Sequence, residues 1–399
     1  MQKKHSIKQI LASNQNWWNF YGKHKNNIRH GILIAIIKLL SCKHSIRGYH
    51  KYDCSNPNCH HVKYISHTCK SKACSSCGKK ATEIWMQKQN NILPQTSWQH
   101  ITFTMPSELW DLFWHNRELL NLIPAIAANC IKQIAVKKRI TPGIFIAIHT
   151  FGRDMKQNVH IPVSVTTGGI TKDGKQWKTL FFHQETLMRI WRYKIISLFR
   201  KVYQQQNLII PNATQRQLNH NFTINNLFNS LYKKRWIVFC SKPSSDQKQN
   251  VSYLGRYVKR PAIAESKLKH YNGNSIAFKY LDHSTKTYRN FKLSVDQFIS
   301  KFIQHIPDVG FRMIRYYGFL ANRVRGKLLP FVYALLGQQK INYKNNASFA
   351  NLLKQNFNVD PFTCVICGNR LNLAETCFGN ASNYNLLKHH SQLVLLKKF

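Results

Sequence analysis

The sequence predicts an α+β protein of two or three domains that opens with a cysteine-bearing module. Three observations predict it. The chain has 399 residues and is 43% hydrophobic, enough to bury a substantial core. Five cysteines crowd into residues 54–77. Downstream, short alternating segments with strand character are interleaved with longer stretches at helical spacing.

Charge narrows the function classes. Fifty-nine Lys and Arg stand against 15 acidic residues, a formal net charge of +44. Charge of this size along a whole chain predicts strong, salt-sensitive attraction to a polyanion, with nucleic acid ahead of an anionic membrane surface. No targeting or spanning segment stands out. The apolar run Gly31–Leu40 is too short to cross a bilayer and contains Lys38, so it reads as a buried helix. No Walker loop is present, and no G-x-G-x-x-G sits between a strand and a helix. Eleven cysteines in two groups point to metal in a reducing, cytoplasmic setting rather than to disulfides.

Along the chain, residues 1–50 look helical and basic, with Trp17, Trp18, Phe20 and Tyr21 as a core cluster or a stacking surface. The first cysteine module follows: Cys54, Cys59, Cys69, and then Cys74-x-x-Cys77. Two thiolate knuckles close a tetrahedral site, for which Zn²⁺ is the usual occupant. The expected set is Cys54, Cys59, Cys74 and Cys77, with Cys69 as the alternative. Lysines surround the module and should face nucleic acid. Residues 100–106 read as a strand, and 107–138 as a helix interrupted by Pro124. Residues 143–151 and 159–167 read as a hairpin. Val159, Ile161, Val163 and Val165 share its core face, and His160, Pro162, Ser164 and Thr166 share the other. A proline there is unexpected, because it removes a ladder donor. Residues 184–235 read as mostly helical, 236–242 as a strand, 276–281 and 288–293 as a hairpin, and 295–305 as a helix. The segment 307–323 mixes aromatics with Arg312 and Arg315, as a phosphate-contact surface would. Cys364-x-x-Cys367 is a second candidate zinc site, its further ligands to come from Cys377 and His389 or His390.

The stretch V-S-Y-L-G-R-Y-V-K-R-P at 251–261 carries the chemistry. Tyr253 and Tyr257 at i and i+4 share one helical face, roughly 6 Å apart at Cβ. Arg256, Lys259 and Arg260 surround them. A phenol titrates near pH ~10, so a nucleophilic tyrosine needs a nearby cation, metal or base.

The order C-K-S-K-A-C-S-S-C-G, H-I-T-F-T-M-P, H-T-F-G-R-D-M-K-Q-N-V-H-I-P-V-S-V-T, Y-L-G-R-Y-V-K-R-P and I-R-Y-Y-G-F-L-A-N resembles the insertion-sequence ninety-one family of transposases. These are two-tyrosine rolling-circle enzymes of the HUH type, and the resemblance spans roughly residues 45–370. It implies a zinc-binding, DNA-recognition domain at 1–98, with structural Zn²⁺. It implies an HUH-nuclease-like catalytic domain at 99–330, an antiparallel sheet flanked by helices, ahead of a basic tail at 331–399. Catalytic Mg²⁺ or Mn²⁺ would sit on strand histidines. Tyr253 and Tyr257 would cleave single-stranded transposon ends and target through a 5′-phosphotyrosine. Arg256, Lys259, Arg260, Arg312 and Arg315 would contact DNA. The protein would act in the cytoplasm, on the nucleoid, without ATP. The first metal-binding histidine maps to His160, with His149, Asp154 and Gln157 as further candidates for ligands or supports.

One departure matters. The family has His, a bulky hydrophobic residue and His, where this chain has His160, Ile161 and Pro162. The expectation is a copy impaired in strand cleavage that still folds and binds DNA. Two other readings keep some of these features: a non-catalytic zinc-containing DNA-binding protein, and a rolling-circle replication initiator or relaxase.

Overall fold

The computed structural model describes residues 5–216, 218, 222–258, 261–282, 285–339, 350–351, 353–354, 358–388 and 390. Lys259, Arg260, the Arg256 side chain and His389 lie outside the described residues.

A seven-stranded antiparallel sheet organises the chain. Its strands are β3 (Trp98–Phe103), β4 (Ile140–Ala147), β5 (His149–Phe151), β6 (Gln157–Thr171), β7 (Trp177–Thr179), β8 (Val238–Cys240) and β12 (Ile314–Gly318). The main path runs β12-β4-β6-β3-β8, with β5 and β7 also paired to β6. The expected hairpin is therefore present, but β6 is longer than its prediction and lies at the centre of the sheet.

Alternation along β6 defines both sides of the sheet. Val159, Ile161, Val163 and Val165 are buried with Ile101 and Phe103 of β3 and Ile144 and Ile146 of β4. Helices α5 (Glu108–His115), α6 (Ile123–Lys137), α7 (Gln184–Gln204) and α9 (Ile224–Lys233) cover that side. Pro124 stands at the start of α6, where a missing N–H costs nothing, so the predicted long helix is divided rather than kinked. The stretch Arg117–Lys137 is long and apolar enough to span a membrane by composition. Half of it is buried here, with Ile123, Ala127, Ala128 and Ile131 packed under the sheet.

The opposite face carries Trp98, Phe145 and Ala147 beneath α4 (Ser75–Ile92), α10 (Gln247–Val258) and α12 (Asn322–Leu335). A third core joins α1 (Ile7–Ala12), α2 (Asn16–His24) and α3 (His30–Leu40) to a sheet of β9 (Leu268–Tyr271), β10 (Ser275–Leu281) and β11 (Tyr288–Ser294), backed by α11 (Val295–Gln304). Trp17 and Phe20 are buried in it, and α3 is the apolar helix expected from Gly31–Leu40. The aromatic cluster is therefore core.

β1 (Gly48–Cys54) and β2 (Val62–Ser66) form a hairpin, and β13 (Leu371–Phe378) adds to the other edge of β1. The C-terminal segment expected as a tail thus supplies a strand to an N-terminal sheet, from Gly48↔Phe378 to Cys54↔Leu371. It ends in α13 (Asn383–Lys388).

His305, at the end of α11, ties that core to the β5–β6 turn. Its Nε2–H donates to the Met155 carbonyl at 3.0 Å. The ring is 6% exposed, and burial pulls its pKa down to about 4. The unfolded chain has the ordinary value near ~6.5 and takes up the proton first as pH falls. Stability is therefore complete above pH ~6.5 and declines toward pH ~4, by roughly 3 kcal/mol from this group. Thermal melts across that window should show the decline, with a shallower slope in His305→Gln.

Candidate active site and cysteine clusters

The tyrosine helix lies across the polar side of the sheet. Gln247 Nε2 donates to the carbonyls of Asn90 and Leu93 at the end of α4, at 2.9 and 2.7 Å. The Gln249 amide donates to Asp246 Oδ1 at 3.0 Å, satisfying an N–H that the first turn of α10 would leave open. Val251 and Leu254 are buried beneath the helix. Gly255 lets α10 approach α4 closely, since a Cβ there would lie 2.5 Å from Met86 Sδ.

This placement sets Tyr253 and Tyr257 over three strands. Tyr253 stacks on His100 of β3, ring centroids 4.0 Å apart, and its hydroxyl is 3.0 Å from Thr102 Oγ1. His100 Nδ1 lies 2.7 Å from Ser164 Oγ on β6. Tyr257 meets His149 edge-on at 4.8 Å and His160 at 6.3 Å. The two tyrosine rings are 5.7 Å apart.

His149 and His160 are directly paired across β5 and β6. His160 Nδ1–H donates to the Asn158 carbonyl at 2.9 Å, which leaves its Nε2 lone pair to accept from His149 Nδ1 at 3.0 Å. Burial holds both pKa values below the usual imidazole range; for His149 the charges of His160, Lys72 and His305 lower it further. Both rings are therefore neutral near pH 7, the form that binds a metal. Two nitrogens at adjacent octahedral positions, each ~2.1 Å from Mg²⁺, would stand about 3 Å apart, so the pair has suitable spacing. Pro162, next along the same face, pairs with Thr102 and offers no donor.

The remaining predicted contacts divide. Arg312 is exposed and lines a groove of about 420 Å³ with Lys70, Lys72, Trp85 and Tyr316. Burial pulls Lys72 down to about 7. Strand alternation puts Arg315 on the α6 side, where it donates to Asn121 O and Oδ1 at 2.9 and 2.7 Å, away from the tyrosines. Asp154 accepts from the Lys156 amide within the β5–β6 turn. As a lone strand histidine, His100 carries no spacing signal in the sequence; α10 lying over β3 brings Tyr253 onto it.

The cysteines form two sets, with members other than those expected. Cys42, Cys69, Cys74 and Cys77 make a buried group, and Cys54, Cys59, Cys364 and Cys367 a second. The expected grouping of Cys54 and Cys59 with Cys74 and Cys77 fails because the first pair sits at the closed end of the β1–β2 hairpin. Cys42 and Cys69 flank its open end, about 16 Å along the strands. Cys377 belongs to neither group, and His390 is bonded to Trp17 Nε1 at 2.6 Å. Within the buried group the sulfurs of Cys42 and Cys77 are 3.7 Å apart, and those of Cys69 and Cys77 are 3.5 Å apart. Four sulfurs ~2.3 Å from one zinc would be about 3.8 Å apart. Cys74 is the N-cap of α4 and Cys77 lies in its first turn, where the helix dipole favours thiolates. The neighbouring thiols of Cys42 and Cys69 lower both, Cys77 to about 6.

Comparison with known proteins fits this architecture. A family of putative transposases matches residues 143–327, which hold the paired histidines and the tyrosine helix. The transposase zinc-binding domain matches residues 13–105. The transposase for insertion sequence element IS801 of Pseudomonas savastanoi pv. phaseolicola is 39% identical over 366 residues, 92% of this chain and 88% of that protein. The putative transposase y4qJ of Sinorhizobium fredii (strain NBRC 101917 / NGR234) is 28% identical over 305 residues, 74% of this chain and 76% of its own length. No solved structure matches. The chain belongs to the IS91 family of insertion-sequence transposases, with a zinc-binding domain. It is an enzyme whose substrate is DNA.

The α10–α4 contact gives a test of how the tyrosines are held. Gly255→Leu should cost about 1–3 kcal/mol by overpacking against Met86. Combining it with Met86→Ala should recover part of that loss in a double-mutant cycle read by thermal or urea unfolding.

Proposed function

We propose that this transposase cuts and rejoins single-stranded DNA at the ends of its element and at the target through a phosphotyrosine intermediate, in rolling-circle transposition. The observation that supports the reading is the placement of Tyr257 against the His149–His160 pair, with Tyr253 beside it on the same helix face. One phenolic oxygen attacks the scissile phosphorus, forming a P–O bond to tyrosine. The P–O3′ bond breaks, and the 3′ oxygen leaves as a hydroxyl carrying the proton that tyrosine gave up. Attack by a 3′ hydroxyl on the phosphotyrosine restores a phosphodiester and the free phenol. Each step exchanges one ester for another, so ATP is not required.

Residue roles follow from placement. Tyr257, against the histidine pair, is the first nucleophile of choice; Tyr253, held by Thr102 and His100, serves the second transfer. His149 and His160 would hold Mg²⁺ or Mn²⁺, which when bound neutralises charge on the phosphate and leaving oxygen. Arg256, Lys259 and Arg260 continue the tyrosine segment and, with Arg312, supply cations for the DNA strand. Cys42, Cys69, Cys74 and Cys77 are the zinc ligands of the zinc-binding domain, and the chain works in the reducing cytoplasm on the nucleoid. Because Pro162 adds no ligand, this copy has a weakened metal site and is impaired in cleavage.

Labelled single-stranded element ends, incubated with Mn²⁺ and run in SDS gels, test the scheme. An adduct lost in the Tyr253→Phe/Tyr257→Phe variant supports tyrosine chemistry; one that persists there overturns it. Pro162→His should raise adduct yield at limiting Mn²⁺ by ~10-fold or more. Equal, robust yields with Pro162 and with histidine would remove the claim of impairment.

A further inference from the structure

Half of the second cysteine group lies outside the matched zinc-binding region, since Cys364 and Cys367 are far beyond residue 105. Its members come in two pairs from opposite ends of the chain. Cys54 ends β1, and Cys59 follows in the turn before β2. Cys364 and Cys367 occupy the turn that leads into β13. Across the gap, Cys54 and Cys367 sulfurs are 3.3 Å apart and 313 residues apart in sequence. Cys59 and Cys364 are 3.8 Å apart and separated by 305 residues. All four sulfurs lie within 4.8 Å of one another. These spacings bracket the ~3.8 Å of a tetrahedral zinc–thiolate site. They are far longer than the ~2.05 Å of a disulfide, and every one of these cysteines is free.

Both turns are closed by short backbone bonds: Cys59 N–H to Asn56 O at 2.9 Å, and Cys364 N–H to Asn369 O at 2.7 Å. Gly368, at φ +76°, supplies the left-handed residue that turns the second knuckle. One further bond joins the two turns directly, from the Ser55 amide to the Arg370 carbonyl at 2.8 Å. Two knuckles facing each other beside the three-stranded sheet β13-β1-β2 make a zinc ribbon, assembled from chain segments about 300 residues apart.

We propose that Cys54, Cys59, Cys364 and Cys367 bind a second zinc ion, separate from the buried Cys42/Cys69/Cys74/Cys77 site, and that this ion fastens the C-terminal strand to the N-terminal sheet. The two sites differ in exposure. The first is buried throughout, whereas in the second Cys367 is exposed and only Cys364 is buried. A chelator should therefore strip the ribbon site first. The claim is independent of strand cleavage and of Pro162.

The test uses the full chain, purified under reducing conditions with zinc supplied. Metal analysis should return two zinc ions per chain, one for each group. Cys364→Ser/Cys367→Ser should return one and keep the far-ultraviolet circular dichroism of the parent. A single ion in the parent, or two in the variant, overturns the proposal. Cobalt(II) titration gives a readout that does not depend on the variant folding. The parent should develop intense sulfur-to-cobalt charge-transfer absorption for two equivalents, and saturation at one equivalent would count against a second site. With one equivalent of zinc removed by chelator, trypsin should cut the segment around Arg370 faster by ~10-fold or more, whereas an unchanged rate would show that the ion does not fasten β13. A Cys54–Cys367 disulfide recovered from the reduced, zinc-replete chain would likewise overturn the assignment.

Discussion

Side-chain alternation along one strand is the constraint on which the rest of the molecule depends. β6 must bury valine and isoleucine on one side while presenting His160 on the other. A shift of one residue in its register would exchange the two sets, placing imidazole in the apolar core. The register is fixed from three directions: β4 and β3 pair with it on either side, and β5 brings His149 opposite His160. Pro162 is tolerated in this central strand as a packing unit, although it removes one N–H from the ladder.

The zinc-binding domain and the catalytic face are mechanically continuous. α4 begins at the buried cysteine group, with Cys74 as its cap and Cys77 in its first turn. The same helix carries Met86 against Gly255 and, at its far end, receives the Gln247 side chain from α10. One helix thus spans from the sulfurs to the tyrosine helix. Lys72, in the loop between Cys69 and Cys74, adds an electrostatic link, since its charge is one of those that lower His149.

Much of this was legible in the sequence where the signal was local. The i, i+4 tyrosines, the alternation at 159–166 and the apolar helix at 30–40 each follow from a period that secondary structure imposes on side chains. What escaped was non-local. Cys42 stands 12 residues before Cys54 with no spacing signature, and it joins Cys69, Cys74 and Cys77 only because α3 and the loop before α4 are brought together. The partners of Cys364 and Cys367 could not be read from neighbouring cysteine or histidine, because they lie at the other end of the chain. Composition does not show on which side of its strand Arg315 lies; strand parity turns it to Asn121. His100 became visible only through its pairing with Ser164.

The split ribbon makes the polypeptide a loop fastened near both ends. With metal bound, the segment from Cys59 to Cys364 becomes a closed circuit of about 300 residues. Closing a circuit of that length removes unfolded-state entropy worth on the order of 5–6 kcal/mol in a simple chain model. A translation product that stops short of Cys364 lacks half of the clasp and one of the three strands of the N-terminal sheet. Completeness of the chain is thus written into the local stability of its first domain.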